Sequence, residues 1–272
     1  MTAPVHTDVV SVLGTRLRIR IDGDHGPWVV LSNSLGCTLH MWDDQVPPLV
    51  GHRVLRYDAR GHGGSDAPPG PYRLEDLAAD LIALLDVVDV ERATFVGLSM
   101  GGMLGQVAVL DHPARFEGLV LADTTSRYGP KSFDFWEQRA RTAETQGLAP
   151  IAATTPSRWF TSGFTERRPA VVTSYQQMLL ASDPQGYAAC CRAIPQIDVT
   201  DRLHEITVPT AVVVGEHDPS TTVAHARRIH EGVNHSSMHI LPSAAHLSNV
   251  EQPAAFTAVL LDLLSRVHPL TR

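Results

Sequence analysis

The chain has 272 residues, 43% of them hydrophobic, with a net charge of −7 and a pI near 6.0. That length suits a single α/β domain carrying an insertion, and the apolar fraction is enough to bury a large core. The acidic balance leaves no electrostatic footprint for nucleic acid or an anionic membrane surface, so the expected partner is a free small molecule.

In chain order, VVSVL and RLRIRID flank Gly14 and Thr15 and predict an opening antiparallel hairpin. The apolar, β-branched runs WVVLSN, RVLRYD, ATFVG, GLVLAD, AVVVGEHD and MHILP then alternate with helical patterns such as LEDLAADLIALLDVV. This alternation predicts an α/β fold: a mostly parallel, eight-stranded sheet with helices on both faces. Between GLVLAD and AVVVGEHD the rhythm breaks for roughly 80 residues, far beyond an ordinary loop. FDFWEQRARTAETQ and AVVTSYQQMLLAS in this stretch are helical, so residues 126–205 read as a helical cap inserted between core parts 1–125 and 206–272. AAFTAVLLDLLSRV closes the chain as an amphipathic helix.

The start MTAPVHTDVV lacks a basic stretch followed by an apolar one, and no run is long enough to span a bilayer. Cys37 stands far from the adjacent Cys190 and Cys191, which does not suggest a disulfide framework. A cytoplasmic protein is expected.

FVGLSMGG, residues 95–102, puts one serine among glycines between a strand and a helix. It has neither the lysine of a phosphate-binding loop nor the spacing of a dinucleotide turn. Gly97-Leu98-Ser99-Met100-Gly101 does fit G-x-S-x-G, the nucleophile elbow of α/β-hydrolases. A serine hydroxyl needs a base within hydrogen-bond reach and an acid to orient that base, and in this fold acid then histidine follow the serine. Asp218 in VVVGEHDPS is the expected acid, with Asp123 in LVLADTT the competitor, because both end a strand. Glu216 would displace the histidine through its longer side chain. Among 14 histidines, His246 in LPSAAHLSNVEQP stands where the base belongs, between the last strand and the last helix. His225, His230, His235 and His239 lack metalloprotease spacing and read as a solvated helix face and a strand start. His62 in DARGHGGSD precedes the nucleophile and reads as mainly structural. The oxyanion of an acyl-transfer intermediate would meet the backbone N–H of Met100 and of Leu35, with Ser34 the alternative to Leu35.

LSNSLG, MWDDQVPPL, RVLRYDARGHGGSDAPPGPY, GLSMGG, RWF, MLLASDPQGYAACCRAI and HLSNVEQPAAF together resemble the 3-oxoadipate enol-lactonases, across core and cap. The resemblance implies ring opening of an enol-lactone in aromatic breakdown by Ser99, Asp218 and His246, with no metal or organic cofactor. The implied substrate carries a carboxylate, for which Arg139, Arg158 and Arg192 are candidates, Arg139 first. Trp136 and Trp159 are candidate lining residues, Trp136 beside Arg139 being favoured. The alternatives are a carboxylesterase, lactonase or amidase, with perhydrolase side activity, on another acyl substrate. A protein of a different class, a slow ligand sensor on the same fold, is a further alternative.

Overall fold

The computed structural model describes residues 5–268. Strands β1 (Val5–Val12) and β2 (Thr15–Asp22) pair antiparallel, and the turn between them holds Leu13 and Gly14 at φ of 45° and 80°. Two consecutive positive-φ residues are the geometry of a tight hairpin whose twist matches its strands. The turn therefore lies one residue earlier than Gly14–Thr15. Thr15 is β-branched, disfavours positive φ, and is instead buried in β2 opposite Val12.

The later strands are β3 (Trp28–Ser32), β4 (Arg53–Tyr57), β5 (Ala93–Leu98), β6 (Phe116–Ala122), β7 (Thr210–Gly215) and β8 (Ser237–Leu241). They form one eight-stranded sheet in the order β1-β2-β4-β3-β5-β6-β7-β8. The β2–β4 pair is antiparallel and every pair beyond it is parallel. Every residue of β3, β5 and β7 is buried, which is why these strands read as continuous apolar runs rather than alternating ones.

Helix α1 (Leu74–Val87) buries Leu74, Leu77, Leu81, Leu84 and Leu85, one stripe at helical spacing. In α2 (Met100–Asp111), by contrast, every residue from Met100 to Leu110 is buried, so it shows no polar face in the sequence. Between β6 and β7 run α3 (Lys131–Gln146), α4 (Ala149–Thr154), α5 (Pro156–Trp159), α6 (Ser162–Arg167), α7 (Pro169–Leu180) and α8 (Pro184–Ala193). The only strand-like pairing there among the described residues is the isolated bridge Arg127–Asp198. Helices α9 (Val223–Gly232), α10 (Ser248–Glu251) and α11 (Pro253–Val267) complete the fold, α11 packing Phe256, Leu260, Leu263 and Leu264 inward. His225 and His230 lie on α9, whereas His239 sits within β8 rather than at its start. Among the described residues no helix is long and apolar enough to cross a membrane.

Candidate active site

Ser99 occupies the junction of β5 and α2 with φ 56° and ψ −115°, a conformation that costs a non-glycine residue about 1–3 kcal/mol. The neighbourhood enforces it: Ser99 N–H donates to Ala122 O at 2.9 Å, and Ser99 O accepts from Met103 N–H at 3.0 Å and from Thr124 Oγ1 at 2.8 Å. The turn is so tight that a Cβ on Gly97 would overlap the Gly101 carbonyl, and one on Gly101 the Ser32 carbonyl. Glycine at both positions is a steric requirement of the serine between them.

His246 lies beyond β8 and presents Nε2 to Ser99 Oγ at 2.9 Å and Nδ1 to Asp218 Oδ2 at 2.8 Å. With Nδ1–H donating to the carboxylate, Nε2 is left free to accept the serine proton. Ser99, His246 and Asp218 are 7%, 5% and 4% exposed, so the chain of bonds is shielded yet reachable. Asp218 also accepts from Ser220 N–H at 2.7 Å, from Thr221 N–H at 3.1 Å and from Thr221 Oγ1 at 2.7 Å. Burial alone would raise the Asp218 pKa, but the His246 charge and these donors outweigh it and hold the acid below its usual value. Burial likewise presses on the imidazolium of His246, and the charge and hydrogen bond of Asp218 overcome it, leaving the histidine above its usual value.

Asp123 lies immediately beyond β6, fully buried, without a hydrogen bond to His246. Its carboxyl accepts from Gly215 N–H at 2.8 Å and from the Ser248 hydroxyl, tying together the loops that carry Asp218 and His246. Burial and then the Asp218 charge push its pKa up to about 8. Glu216 is turned away, accepting from Ser243 N–H at 3.2 Å.

The loop after β3 is bonded almost throughout. Ser34 N–H donates to Met41 Sδ at 3.3 Å, Gly36 N–H to His62 Nε2 at 2.9 Å, Cys37 N–H to Ser34 O at 3.1 Å, Thr38 N–H to Met178 Sδ at 3.0 Å and Leu39 N–H to Asp58 Oδ1 at 2.7 Å. Among the described residues only the Leu35 N–H in this run lacks an acceptor, and the Met100 N–H at the start of α2 lacks one too. Buried unpaired N–H groups are rare, and these two belong to the residue that follows Ser99 in the chain and to one that lines the same cavity as Ser99. Gly101 N–H to Asn33 O at 3.1 Å links the two segments directly.

These groups open into a cavity of about 200 Å³ lined by Ser99, His246, Leu35, Trp136, Arg139 and Arg158, with Tyr128 and Phe135 completing an aromatic wall. Arg139 Nε donates to Tyr187 Oη at 2.7 Å and its Nη2 to Thr155 Oγ1 at 2.8 Å; Arg158 Nη2 donates to Ser220 Oγ at 3.2 Å. Among the described residues neither guanidinium has a carboxylate partner, whereas Arg192 is paired with Glu137 and Glu144 away from the cavity. Trp136 stacks edge-on with Tyr128 at 6.3 Å; Trp159 lines the cavity but packs mainly on Phe160 and Tyr175.

A profile of the α/β hydrolase fold matches residues 27–253. The chain is 42% identical over 241 residues to 3-oxoadipate enol-lactonase 2 of Acinetobacter baylyi, covering 88% of this chain and 89% of that one. The chain belongs to the 3-oxoadipate enol-lactonase family of α/β-hydrolases. The crystal structure of an enol-lactonase from Burkholderia xenovorans superposes with a TM-score of 0.92 at 40% identity, covering 95% of this chain and all of that one. A thermophilic esterase from Thermogutta terrifontis, solved with malate bound, superposes at 0.91 with 27% identity, over 97% and 99% of the two chains.

For this enol-lactonase-family hydrolase, the residues that sequence reading passed over are the cavity-lining Tyr128 and Phe135 and those acting on other site residues. Thr221 and Ser220 support Asp218, and the hydroxyl-rich run DPSTT after the acid is the signal that could have marked them. Tyr187 on α8 and Thr155 in the turn between α4 and α5, which hold Arg139, are remote from it in sequence and leave no local trace.

Proposed function

We propose that this protein opens the ring of 3-oxoadipate enol-lactone by a Ser99–His246–Asp218 acyl-enzyme route in the breakdown of aromatic compounds. The observation that carries this reading is the hydrogen-bonded chain from Asp218 through His246 to Ser99, opening into a small cavity with two arginines that make no salt bridge to a carboxylate among the described residues. As Ser99 Oγ attacks the lactone carbonyl, His246 Nε2 takes its proton and Asp218 stabilises the resulting imidazolium. The carbonyl oxygen gains charge between the N–H groups of Met100 and Leu35. Collapse of the tetrahedral species breaks the ring C–O bond, and the His246 imidazolium gives its proton to the departing oxygen, leaving neutral His246 and an enol still attached to the acyl chain. Water deprotonated by His246 then attacks the acyl-enzyme, freeing the acid and Ser99, and the enol tautomerises to the ketone. This chemistry requires no metal or organic cofactor.

Substrate selection falls to residues 126–205, which we read as a cap over the core. At about 200 Å³ the cavity is smaller than the roughly 300–1,000 Å³ of drug-sized ligand sites, which favours a compact substrate over a long-chain ester. Burial, then the charge of Arg139, lowers the Arg158 pKa from its ordinary value, a repulsion that an anionic ligand would relieve. Malate in the T. terrifontis esterase is consistent with anion recognition in this structural group. Trp136 would pack against the apolar part of the ring.

The direct test compares kcat/KM for the enol-lactone with that for other lactones, aryl esters, amides and carbamates. A preference of at least about 100-fold for the enol-lactone is expected, from two charge-assisted contacts at about 1.5–3 kcal/mol each; comparable values across the panel would sink the assignment. Turnover without any partner protein separates an enzyme from a ligand sensor. Arg139→Leu and Arg158→Leu should each raise KM for the carboxylate substrate by about tenfold or more while leaving kcat/KM for an uncharged ester little changed. An equal loss on both substrates would show that the arginines support the fold instead.

A further inference from the structure

His62 is 1% exposed and absent from the cavity wall, yet it makes one hydrogen bond to each of two segments. Its Nε2 accepts from Gly36 N–H at 2.9 Å, and its Nδ1 stands 3.1 Å from the Arg60 carbonyl. A carbonyl only accepts, and Gly36 N–H only donates, so the two contacts define a neutral imidazole with its proton on Nδ1. Burial opposes any charge on this ring and lowers its pKa to about 4, which keeps Nε2 an acceptor at neutral pH.

The turn that carries His62 is itself rigid. Asp58 Oδ2 accepts from Gly64 N–H at 2.9 Å, Ser65 Oγ donates to Asp58 O at 2.6 Å, and His62 N–H donates to Ala59 O at 3.0 Å. The same Asp58 accepts from Leu39 N–H, so the turn after β4 grips the loop after β3 at Gly36 and at Leu39. Gly36 has φ 77°, a left-handed residue whose peptide planes have no side chain to lock them. With Ser34 N–H held by Met41 and Gly36 N–H held by His62, the peptide between Ser34 and Leu35 is clamped from both sides.

We propose that His62 is a positioning residue of the hydrolytic step: by holding Gly36 N–H it aims the neighbouring Leu35 N–H at the developing oxyanion. This rests on the reading of Leu35 as an oxyanion donor. His62 neither lines the cavity nor bonds Ser99, and its effect travels through its hydrogen bond to Gly36 and the backbone of Leu35.

Three variants separate this role from plain structural support. His62→Gln carries an amide oxygen at about the reach of Nε2 and can still accept from Gly36. His62→Asn reaches only as far as Nδ1, serving Arg60 but not Gly36, and His62→Leu serves neither. Loss of a whole oxyanion donor costs about 10²–10³ in kcat. A misaimed donor is expected to cost about 10–100-fold in kcat for Asn and Leu, with KM changed less than about threefold and with Gln restoring most of the rate. A boronic acid that forms a tetrahedral adduct should lose affinity in parallel with kcat, while adipate, a ground-state competitor, should not. His62→Asn at the wild-type rate, or His62→Gln as impaired as His62→Asn, would overturn the proposal. If His62→Leu does not fold, the Asn–Gln comparison carries the test. Ser99→Ala in the same assays distinguishes the two levels: an active Ser99→Ala defeats the acyl-enzyme reading, whereas an inactive one beside a fully active His62→Asn defeats only this inference.

Discussion

Ser99→Ala is expected to fold as the parent protein does and to lose at least about a thousandfold in kcat, with KM little altered. The folding half comes from the elbow's geometry. Alanine keeps the Cβ that Ser99 already carries at φ 56°, so the backbone strain is unchanged. The bonds that fix the turn use the backbone N–H and carbonyl of residue 99, not Oγ. The kinetic half comes from the hydroxyl's place at 2.9 Å from His246 Nε2. Without Oγ the site retains only orientation and the donor set, which alone leave a small residue of catalysis over water. Circular dichroism, a melting curve and steady-state rates on the enol-lactone check this. Rates within tenfold of the parent in a normally folded variant would remove Ser99 from the mechanism.

The second large effect separates two buried carboxyls. Asp218→Asn should lower kcat by roughly 10³–10⁴, because an amide nitrogen facing Nδ1 favours the imidazole tautomer whose Nε2 carries the proton and cannot accept another. Asp123→Asn should stay within about tenfold of the parent. At neutral pH its raised pKa already keeps the Asp123 carboxyl largely neutral, so the charge change is small, and the retained oxygen can still accept from Gly215 N–H. The pH profile gives an independent readout. His246 serves as base only when neutral, so kcat/KM for the parent should rise with pH through a His246 pKa lying above the usual value near 6.5. Asp218 is the main force raising it, so in Asp218→Asn the residual activity should have its acid limb at lower pH. A larger loss from Asp123→Asn than from Asp218→Asn would reverse the assignment of the acid.

The centre of the sheet was legible in the chain because β3, β5 and β7 are buried on both faces and so appear as unbroken apolar runs. The elbow was legible because close backbone approach leaves only glycine at 97 and 101. The hairpin turn was misplaced by one residue, since Gly14 alone suggests a turn without saying which neighbour shares the positive φ. Helix α2 has no polar face, so only its position after the elbow marks it.

The order serine, acid, histidine is a property of the sequence, and so is the presence of arginines and aromatic residues in the long segment between β6 and β7. The sequence alone determined which residue types stand at the ends of which strands. Choosing among them depended on tertiary structure, because a side chain at a strand end is aimed by the turn that the next few residues make. Asp123 comes directly after β6, its N–H still bonded to Val213 O, and its carboxyl is held inward by Gly215 and Ser248. Asp218 stands three residues beyond Gly215, far enough past β7 for its turn to bring the carboxylate to His246. By the same reasoning Arg192 is neutralised by two glutamates, Arg139 and Arg158 are left facing the cavity, and His62 meets Gly36 across 26 positions of chain. Each of these outcomes depends on partners remote in sequence, whose distances exist only once the sheet has set the register of its loops.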